Sequence, residues 1–162
     1  MTRLDIHHCA QHIAGYCLPA CVQMVLAYLG RSVSVAVYST DQDDLARRMG
    51  VKPFVGAPYS AIKRLISPGV HVVYARQGNL PTLRDALNHS LPVILFVQAG
   101  ELAYWQGHKS QHAIVMIGWD GATQTAYVLD PAMPPAPLTV PLGDLMLAWD
   151  EMDNAYAVIS LR

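Results

Sequence analysis

A nearly continuous apolar segment, residues 17–29, constrains the fold of this chain more than any other feature of its sequence. Pro19 lies near its beginning, and because proline fits only the first turn of a helix, a helix must start close to Cys17 or Leu18. Gly30 follows the segment and is typical of a helix end. A helix that is apolar around its whole circumference is buried on all sides. The sequence therefore predicts a central helix with other elements packed around it.

The rest of the chain predicts mostly short helices first and mostly strands later. Thr40 is expected to cap the second helix, with Asp43 in the capping-box position and Gly50 at the end. The later predicted helices span residues 40–49, 58–66, 81–89 and 142–149, and the predicted strands span residues 70–75, 92–97, 113–118, 126–129 and 155–161. This order predicts an α+β fold, in which the central N-terminal helix packs on a mostly antiparallel sheet.

The bulk composition predicts one globular domain and argues against several classes of partner. The chain has 162 residues, 52% apolar and 14% charged, so residues 1–162 can form a single domain with a full core. The net charge of −1 and the lack of a basic stripe argue against nucleic acid as a partner. With no apolar run long enough for a membrane span and no apolar signal segment, we expect a cytoplasmic protein.

Cys17 is the first candidate for a reactive residue because it lies at the predicted start of the buried helix. The positive end of the helix dipole favours a thiolate there, and the thiolate is the nucleophilic form of cysteine. The alternative is a buried structural cysteine, which is a common role for a free thiol. That alternative is preferred for Cys21, one turn deeper, whereas Cys9 lies in a polar segment without a partner pattern. Three cysteines cannot all pair, so free thiols are expected.

His112 is the candidate general base, and Asp130 is the candidate for the group that orients it. His112 begins the strongest predicted strand, where backbone pairing would hold its ring in a fixed position. Asp130 ends the next strand, and if the two strands pair, its carboxylate can reach the second imidazole nitrogen. The alternatives are a strand-edge histidine without a role and a turn aspartate before proline. His108 competes as the base but lies in a loop.

Gln11 and the long loop of residues 99–111 complete the candidate site. The Gln11 side-chain amide could donate to an oxyanion formed at an attacked carbonyl, with the Cys17 backbone N–H as the second donor. A surface glutamine without a role is the alternative. Long loops in compact domains are often functional. The candidate substrate-contacting residues are Tyr16, Leu18, Tyr104, Trp105 and Gln111.

Together these residues resemble the bacteriocin-processing cysteine peptidase family of the papain-like superfamily. The matching features lie within residues 11–161 and comprise Gln11, Cys17 followed by Pro19-Ala20-Cys21, a helix running to Tyr28-Leu29-Gly30, His112 with its apolar strand, and Asp130-Pro131. The resemblance implies a papain-like fold with the site between helix and sheet. It also implies cleavage after a double-glycine leader, with Gln11 as oxyanion donor, Cys17 as nucleophile, His112 as base and Asp130 as orienting acid.

The chain departs from the family pattern at two points. The family usually has glycine directly after the nucleophile, whereas Leu18 stands there in this sequence and could alter a glycine-only subsite. Family members are often fused to a membrane transporter, whereas this chain ends at Arg162. We therefore expect a stand-alone member that acts on a peptide, an amide or a ubiquitin-like tail, with a transporter or substrate encoded separately and with no cofactor.

Three alternatives stay open from the sequence. A zinc site is one, because His7, His8, Cys9, His12, Cys17 and Cys21 lie close together, although only Cys17 and Cys21 approach the usual ligand spacing. A second is a domain of the same fold that binds peptides without cutting them. A third is acyl transfer through the same thioester, since the sequence does not distinguish water from an amine as the second nucleophile.

Overall fold

A computed structural model describes residues 2–31 and 40–161 of the protein. Its α-helices are α1 (Cys17–Gly30), α2 (Gln42–Met49), α3 (Leu80–Asn88) and α4 (Leu142–Asp150). Its strands are β1 (Thr2–Arg3), β2 (Val70–Ala75), β3 (Val93–Gln98), β4 (Gln111–Asp120), β5 (Thr125–Leu129), β6 (Leu138–Pro141) and β7 (Tyr156–Leu161). Short 3₁₀ helices lie at Tyr59–Leu65, Ala99–Glu101 and Ala103–Trp105.

The described strands form one sheet in the order β2-β7-β3-β4-β5-β6, with β1 added against β4. All pairings among them are antiparallel. Alternation along the strands gives the sheet two apolar faces. On β3, Ile94 and Phe96 face the cluster that contains α1, whereas Val93, Leu95 and Val97 face the cluster that contains α3 and α4. The predicted α+β fold, with a central helix on an antiparallel sheet, is confirmed.

The central helix agrees with its prediction, since α1 begins at Cys17 and buries most of its residues against β4 and β7. The second helix differs at its cap. Asp41, and not Thr40, is the N-cap, and its side chain accepts hydrogen bonds from the backbone N–H groups of Asp43 and Asp44. Asp43 therefore takes part in the cap through its backbone N–H, and not through a side-chain carboxylate as in a capping box. Gly50 ends this helix in the left-handed conformation, at φ 74°, as predicted.

The predicted strands are all present, with bounds that shift by a few residues. The segment predicted as a third helix is a 3₁₀ helix, and the long loop after β3 contains two short 3₁₀ turns. The sequence did not indicate β1 or β6, because both are short and lie beside longer strands that supply the partner groups. The pairing of β4 with β5 is the one that matters for the site, because it joins the strand that carries His112 to the strand before Asp130.

Candidate active site

The N-terminus of α1 presents Cys17 with unpaired backbone donors beside it. The N-cap residue Tyr16 makes no side-chain capping bond, and the first intrahelical bond runs from the Ala20 N–H to the Tyr16 carbonyl at 3.1 Å. Pro19 has no N–H. The N–H groups of Cys17 and Leu18 therefore have no hydrogen-bond partner among the described residues, and Cys17 itself is partly exposed. An anion or a developing oxyanion placed there would meet these donors and the positive end of the helix.

A buried pair formed by His112 and Asp130 lies beside this helix start. His112 is the second residue of β4, and Asp130 directly follows β5. The distance between His112 Nε2 and Asp130 Oδ1 is 2.7 Å, and the two residues are only 4% and 0% exposed. Because Nε2 is bound to the carboxylate, Nδ1 is the nitrogen that can serve Cys17.

The Asp130 carboxylate accepts hydrogen bonds at both oxygens. Oδ1 accepts from the Ala132 N–H at 2.9 Å in addition to His112. Oδ2 accepts from the Tyr104 hydroxyl and from the Trp105 indole N–H, each at 2.9 Å. The Trp105 ring also meets the His112 ring edge-on, with centroids 4.9 Å apart. Four donors therefore fix the carboxylate, and an aromatic ring covers the pair.

The surroundings of this pair favour its ionised form. Burial is the largest influence on His112 and lowers its pKa, but its hydrogen bond with Asp130 and its electrostatic interactions with Asp130 and Cys17 raise the pKa to about 9. For Asp130, burial acts to raise the pKa, yet the bonds from His112, Trp105 and Ala132 and the His112 charge hold it below its ordinary value. At neutral pH His112 is therefore an imidazolium that is bound to the Asp130 carboxylate and lines the same cavity as Cys17.

The segment before α1 is tied to the segment that carries Asp130. The His8 ring bonds through Nε2 to the Asp130 carbonyl oxygen at 2.6 Å. The Gln11 N–H donates to the Pro131 carbonyl at 2.9 Å. The sequence suggested His8 only as a candidate metal ligand, and no pattern in the sequence indicates its contact with Asp130. The two bonds bring Gln11 to the same cleft as Cys17.

A buried side chain on α2 holds both neighbours of Gln11. Gln42 is fully buried, and its Oε1 accepts from the His12 N–H at 2.7 Å while its Nε2 donates to the Ala10 carbonyl at 3.0 Å. The second Nε2 proton goes to Gln23 Oε1 at 2.9 Å. The Gln11 side chain is held less firmly. Its Nε2 donates to the Ile13 carbonyl at 3.3 Å, and its Oε1 is buried without a hydrogen-bond partner.

Two cavities open beside Cys17 and share Gly15, Val55 and Gln111 as well as Cys17 itself. One cavity lies on the side of Cys17 where His112 is. His112 lines it, together with Gln11, Ala14, Phe54, Trp105, Ser110 and Ala132. The other cavity lies on the side of Cys17 where Leu18 is. Leu18 lines it, together with Val51, Gly56, Ala57, Pro58 and Tyr59. Gln11, Cys17 and His112 line the first of these cavities, and Asp130 is hydrogen-bonded to His112. The four residues predicted for catalysis therefore lie at one cleft, which the two cavities form together.

The residues predicted to contact substrate fall into two groups. Leu18, Trp105 and Gln111 line the cavities. Tyr16 and Tyr104 line neither of these two cavities. Tyr16 is only 5% exposed and packs in the hydrophobic core, because the chain turns inward there to start α1. The Tyr104 hydroxyl donates to Asp130 Oδ2, which also accepts the bond from Trp105.

The remaining candidates lie away from the reacting groups. Cys21 is fully buried, as expected, and burial raises the pKa of its thiol well above the ordinary value. His108 is exposed on the loop before β4. Within residues 2–31 and 40–161, no group of three or more His, Cys, Asp or Glu side chains is arranged to hold a metal ion.

Comparison with known protein families shows which family the chain belongs to. The model of the Peptidase C39-like family matches residues 3–156. The chain belongs to the Peptidase C39-like family. The match agrees with the resemblance inferred from the sequence, and the C39-like family supports an assignment to the cysteine-peptidase type of hydrolase. A search of curated proteins finds no match.

Solved structures of C39 peptidases share the fold. A candidate C39-like peptidase from Bacillus anthracis is 19% identical with a TM-score of 0.71, and the alignment covers 100% of this chain and 98% of that one. A double-glycine-motif protease from an AMS/PCAT transporter, in complex with the leader peptide, is 18% identical with a TM-score of 0.57, covering 98% and 92%. The peptidase domain of Streptococcus ComA, a bifunctional ABC transporter, is 15% identical with a TM-score of 0.58, covering 99% and 98%.

Two of these structural relatives come from membrane transporters. In the part of the chain that the structure describes, no helix is both long and apolar enough to cross a membrane. The most apolar helix, α1, has 14 residues, whereas a spanning helix needs about 20.

Proposed function

We propose that this C39-like protein is a cysteine peptidase in which Cys17 attacks a peptide carbonyl. His112 is the general base and acid, Asp130 orients His112, and Gln11 donates to the oxyanion. The observation that carries the proposal is the buried His112–Asp130 pair, 2.7 Å apart, in the same cleft as a cysteine at a helix N-terminus. Each group suits its task, because the base is oriented and the nucleophile lies beside a cation.

The reaction follows from the positions of these groups. The Cys17 sulfur attacks the carbonyl carbon, and the negative oxygen meets the Cys17 N–H and an N–H of the Gln11 amide. His112 then gives its proton to the departing amine as the C–N bond breaks, which leaves a thioester on Cys17. Water attacks the thioester while His112 takes its proton, and the carboxylic acid and free thiolate are released. Asp130 stays ionised throughout.

The substrate and its setting are further parts of the proposal. One structural relative is described as a double-glycine-motif protease with a leader peptide, which makes peptides with a leader segment the first class to test. We extend to this chain a transporter or a substrate protein as partner, and a cytoplasmic location. None of the roles uses a cofactor.

The proposal is tested by trapping Cys17 and by removing the proposed groups. Iodoacetamide should label Cys17 faster than Cys9 or Cys21, and labelling should persist below pH 7, because His112 remains a cation there. Cys17→Ala and His112→Ala should abolish peptide cleavage, with a loss in kcat of about 10⁴-fold or more. His108→Ala is the matched control and should keep full activity. Equal labelling of all three thiols, or activity lost in His108→Ala with unchanged folding, would contradict the assignment.

A further inference from the structure

The cavity on the Leu18 side of Cys17 has the size and lining of a pocket for an apolar side chain. Its volume is about 220 Å³, and an apolar cavity of about 150 Å³ is large enough to bind benzene. Its walls include Leu18, Val51, Val55, Ala57 and Tyr59, and the polar side chains of Cys17 and Gln111 lie at the edge that it shares with the other cavity. No Asp, Glu, Lys, Arg or His side chain lines it, so a charged group entering it would lose water without gaining a partner of opposite charge.

The walls of this cavity are fixed by contacts outside it. The Tyr59 ring stacks on the buried ring of Phe96, with centroids 4.1 Å apart. Burial raises the pKa of Tyr59, so its hydroxyl stays neutral. The loop that carries Val55 is bonded to the segment before Cys17, because the Phe54 N–H donates to the Ala14 carbonyl at 2.7 Å. The same loop is closed by the Gly56 N–H, which donates to the Lys52 carbonyl at 2.9 Å. A pocket with fixed walls exists before substrate arrives.

The position of His112 decides which part of a substrate this cavity receives. The proton for the departing amine comes from His112, so the leaving group must lie on the His112 side of Cys17. That side is the other cavity, which is lined by His112, Gln11 and Trp105. The Leu18-side cavity lacks His112 and shares only the nucleophile, Gly15, Val55 and Gln111 with it. It therefore lies on the acyl side of the scissile bond.

We propose that this cavity binds a large apolar side chain, of leucine or phenylalanine size, at one of the two residues before the scissile bond. The inference rests on the proposed function and narrows its substrate class to peptides with such a residue, in preference to peptides that end in two glycines. Glycine would leave the cavity empty and gain none of the apolar contact that its walls offer. Leu18 forms part of the wall and leaves this volume open.

Peptidyl chloromethyl ketones test the proposal without a known substrate. The Cys17 sulfur would displace chloride from the methylene carbon, forming a C–S bond, and mass spectrometry locates the adduct. The probes end in Gly-Gly, Leu-Gly, Gly-Leu, Phe-Gly, Asp-Gly or Lys-Gly before the ketone. We expect a leucine or phenylalanine probe to label Cys17 at least about 10-fold faster than the Gly-Gly, aspartate or lysine probes.

The outcomes separate this inference from the proposed function. Labelling of Cys17 by all probes at similar rates, or fastest by Gly-Gly, would overturn the apolar pocket and leave the peptidase assignment intact. Labelling of Cys17 by none of them, in protein whose folding is verified by circular dichroism, would overturn both. The Cys17→Ala variant identifies labelling at the other two thiols.

A pair of serine variants connects the preference to this cavity. Val55 is 79% exposed and lines the cavity, whereas Leu147 is 52% exposed on α4 and lines none of the cavities described above. Val55→Ser should reduce the ratio of leucine-probe to Gly-Gly-probe labelling by about 3- to 10-fold, because apolar contact is lost, while Leu147→Ser leaves the ratio unchanged. Ala57→Leu, which fills the cavity, should reduce leucine-probe labelling and spare Gly-Gly labelling. An unchanged ratio in both cavity variants would overturn the proposal.

Discussion

The two sides of the candidate cleft differ in how completely their polar atoms are paired. On the Asp130 side, both carboxylate oxygens and the backbone carbonyl accept hydrogen bonds, and the residue is fully buried. On the Gln11 side, the side-chain oxygen is buried without a partner, and the N–H groups of Cys17 and Leu18 have none among the described residues. In the free protein the oxygen atoms of Asp130 are all hydrogen-bonded, whereas the Gln11 side keeps two N–H donors and one acceptor without partners in the described part of the chain.

This difference matches the tasks that the two sides would perform. A base has to be held in one tautomer and orientation before substrate arrives, so full pairing of Asp130 costs nothing during the reaction. An oxyanion site has to offer donors to a charge that does not yet exist, and donors already paired within the protein would be lost to it.

Among changes that leave Cys17 and His112 in place, Asp130→Asn should have the largest effect, because it puts an amide where four donors converge. The amide NH₂ group would face either His112 and the Ala132 N–H or the Tyr104 and Trp105 donors, and the imidazolium would lose its counter-charge. We expect a kcat lower by about 10³- to 10⁴-fold, and slower alkylation of Cys17 by iodoacetamide. Both rates are measured at neutral pH on protein whose folding is checked by thermal denaturation.

Asp150→Asn, at the exposed end of α4, is the matched control and should leave both rates unchanged. If Asp130→Asn keeps near-normal turnover while folding normally, Asp130 does not orient the base, and its four hydrogen bonds are structural only.

The residues that could be predicted from sequence are those whose signal is local. The apolar run and Pro19 place Cys17 at the start of α1, because helix geometry depends on neighbours within a few residues. His112 and Asp130 follow from the strand pattern, once β4 and β5 pair. These signals fixed the elements and the order of the candidate site along the chain.

The supporting contacts could not be predicted, because they join segments far apart in sequence. The Tyr104 and Trp105 bonds to Asp130 cross 26 and 25 residues, and the His8 contact crosses 122. The sequence indicated a place for Tyr104 near the cleft from its loop position, but not the hydrogen bond from its hydroxyl to the Asp130 carboxylate. Gln42 gave no signal either, since a glutamine beside a helix cap usually faces solvent.

Gln11→Ala should have the next largest effect and should separate the two sides. Removal of one oxyanion donor lowers kcat by about 10²- to 10³-fold in comparable sites. The rate of iodoacetamide alkylation should not change, because that reaction forms no oxyanion and His112 and Asp130 are untouched. Steady-state kinetics and alkylation rates are measured on the same preparation. A slower alkylation in Gln11→Ala would mean that Gln11 acts on the thiol and not on the oxyanion.

The His112–Asp130 pair should make stability depend on pH in a defined direction. The pKa of His112 rises from 6.5 to about 9 in the folded protein, so its contribution is complete below about pH 6.5 and is lost as pH rises through 9. The pKa of Asp130 is lowered from 3.8, so its contribution is present above about pH 4 and is lost in more acidic solution.

Denaturant unfolding of the wild type and of His112→Gln measures this contribution. The difference in unfolding free energy between the two should be largest near about pH 5.5 and smaller near about pH 9.5, by up to about 3 kcal/mol. Tyr104→Phe, which removes one donor from Asp130 and leaves His112 in place, should keep the same pH dependence. A difference that is constant over this range would mean that folding leaves the pKa of His112 unchanged, and a difference that grows as pH rises would mean that His112 is neutral in the folded protein.

Gln42→Leu should have the smallest effect, acting on the unpaired side through the backbone. It leaves the His12 N–H and the Ala10 carbonyl without their partner, which costs about 1–3 kcal/mol of unfolding free energy. Because these groups flank Gln11, we expect kcat to fall about 10-fold as the amide moves from its position. Asp43→Asn, on the exposed face of the same helix, is the control for both measurements.

A double-mutant cycle decides whether Gln42 acts through Gln11. If it does, the kcat of Gln11→Ala combined with Gln42→Leu equals that of Gln11→Ala alone, because a side chain already removed cannot be misplaced. If the losses in kcat multiply, Gln42 affects the reaction by another route, such as the position of α1 through Gln23. The stability loss should appear in both backgrounds, since it comes from the unpaired backbone groups and not from the Gln11 amide.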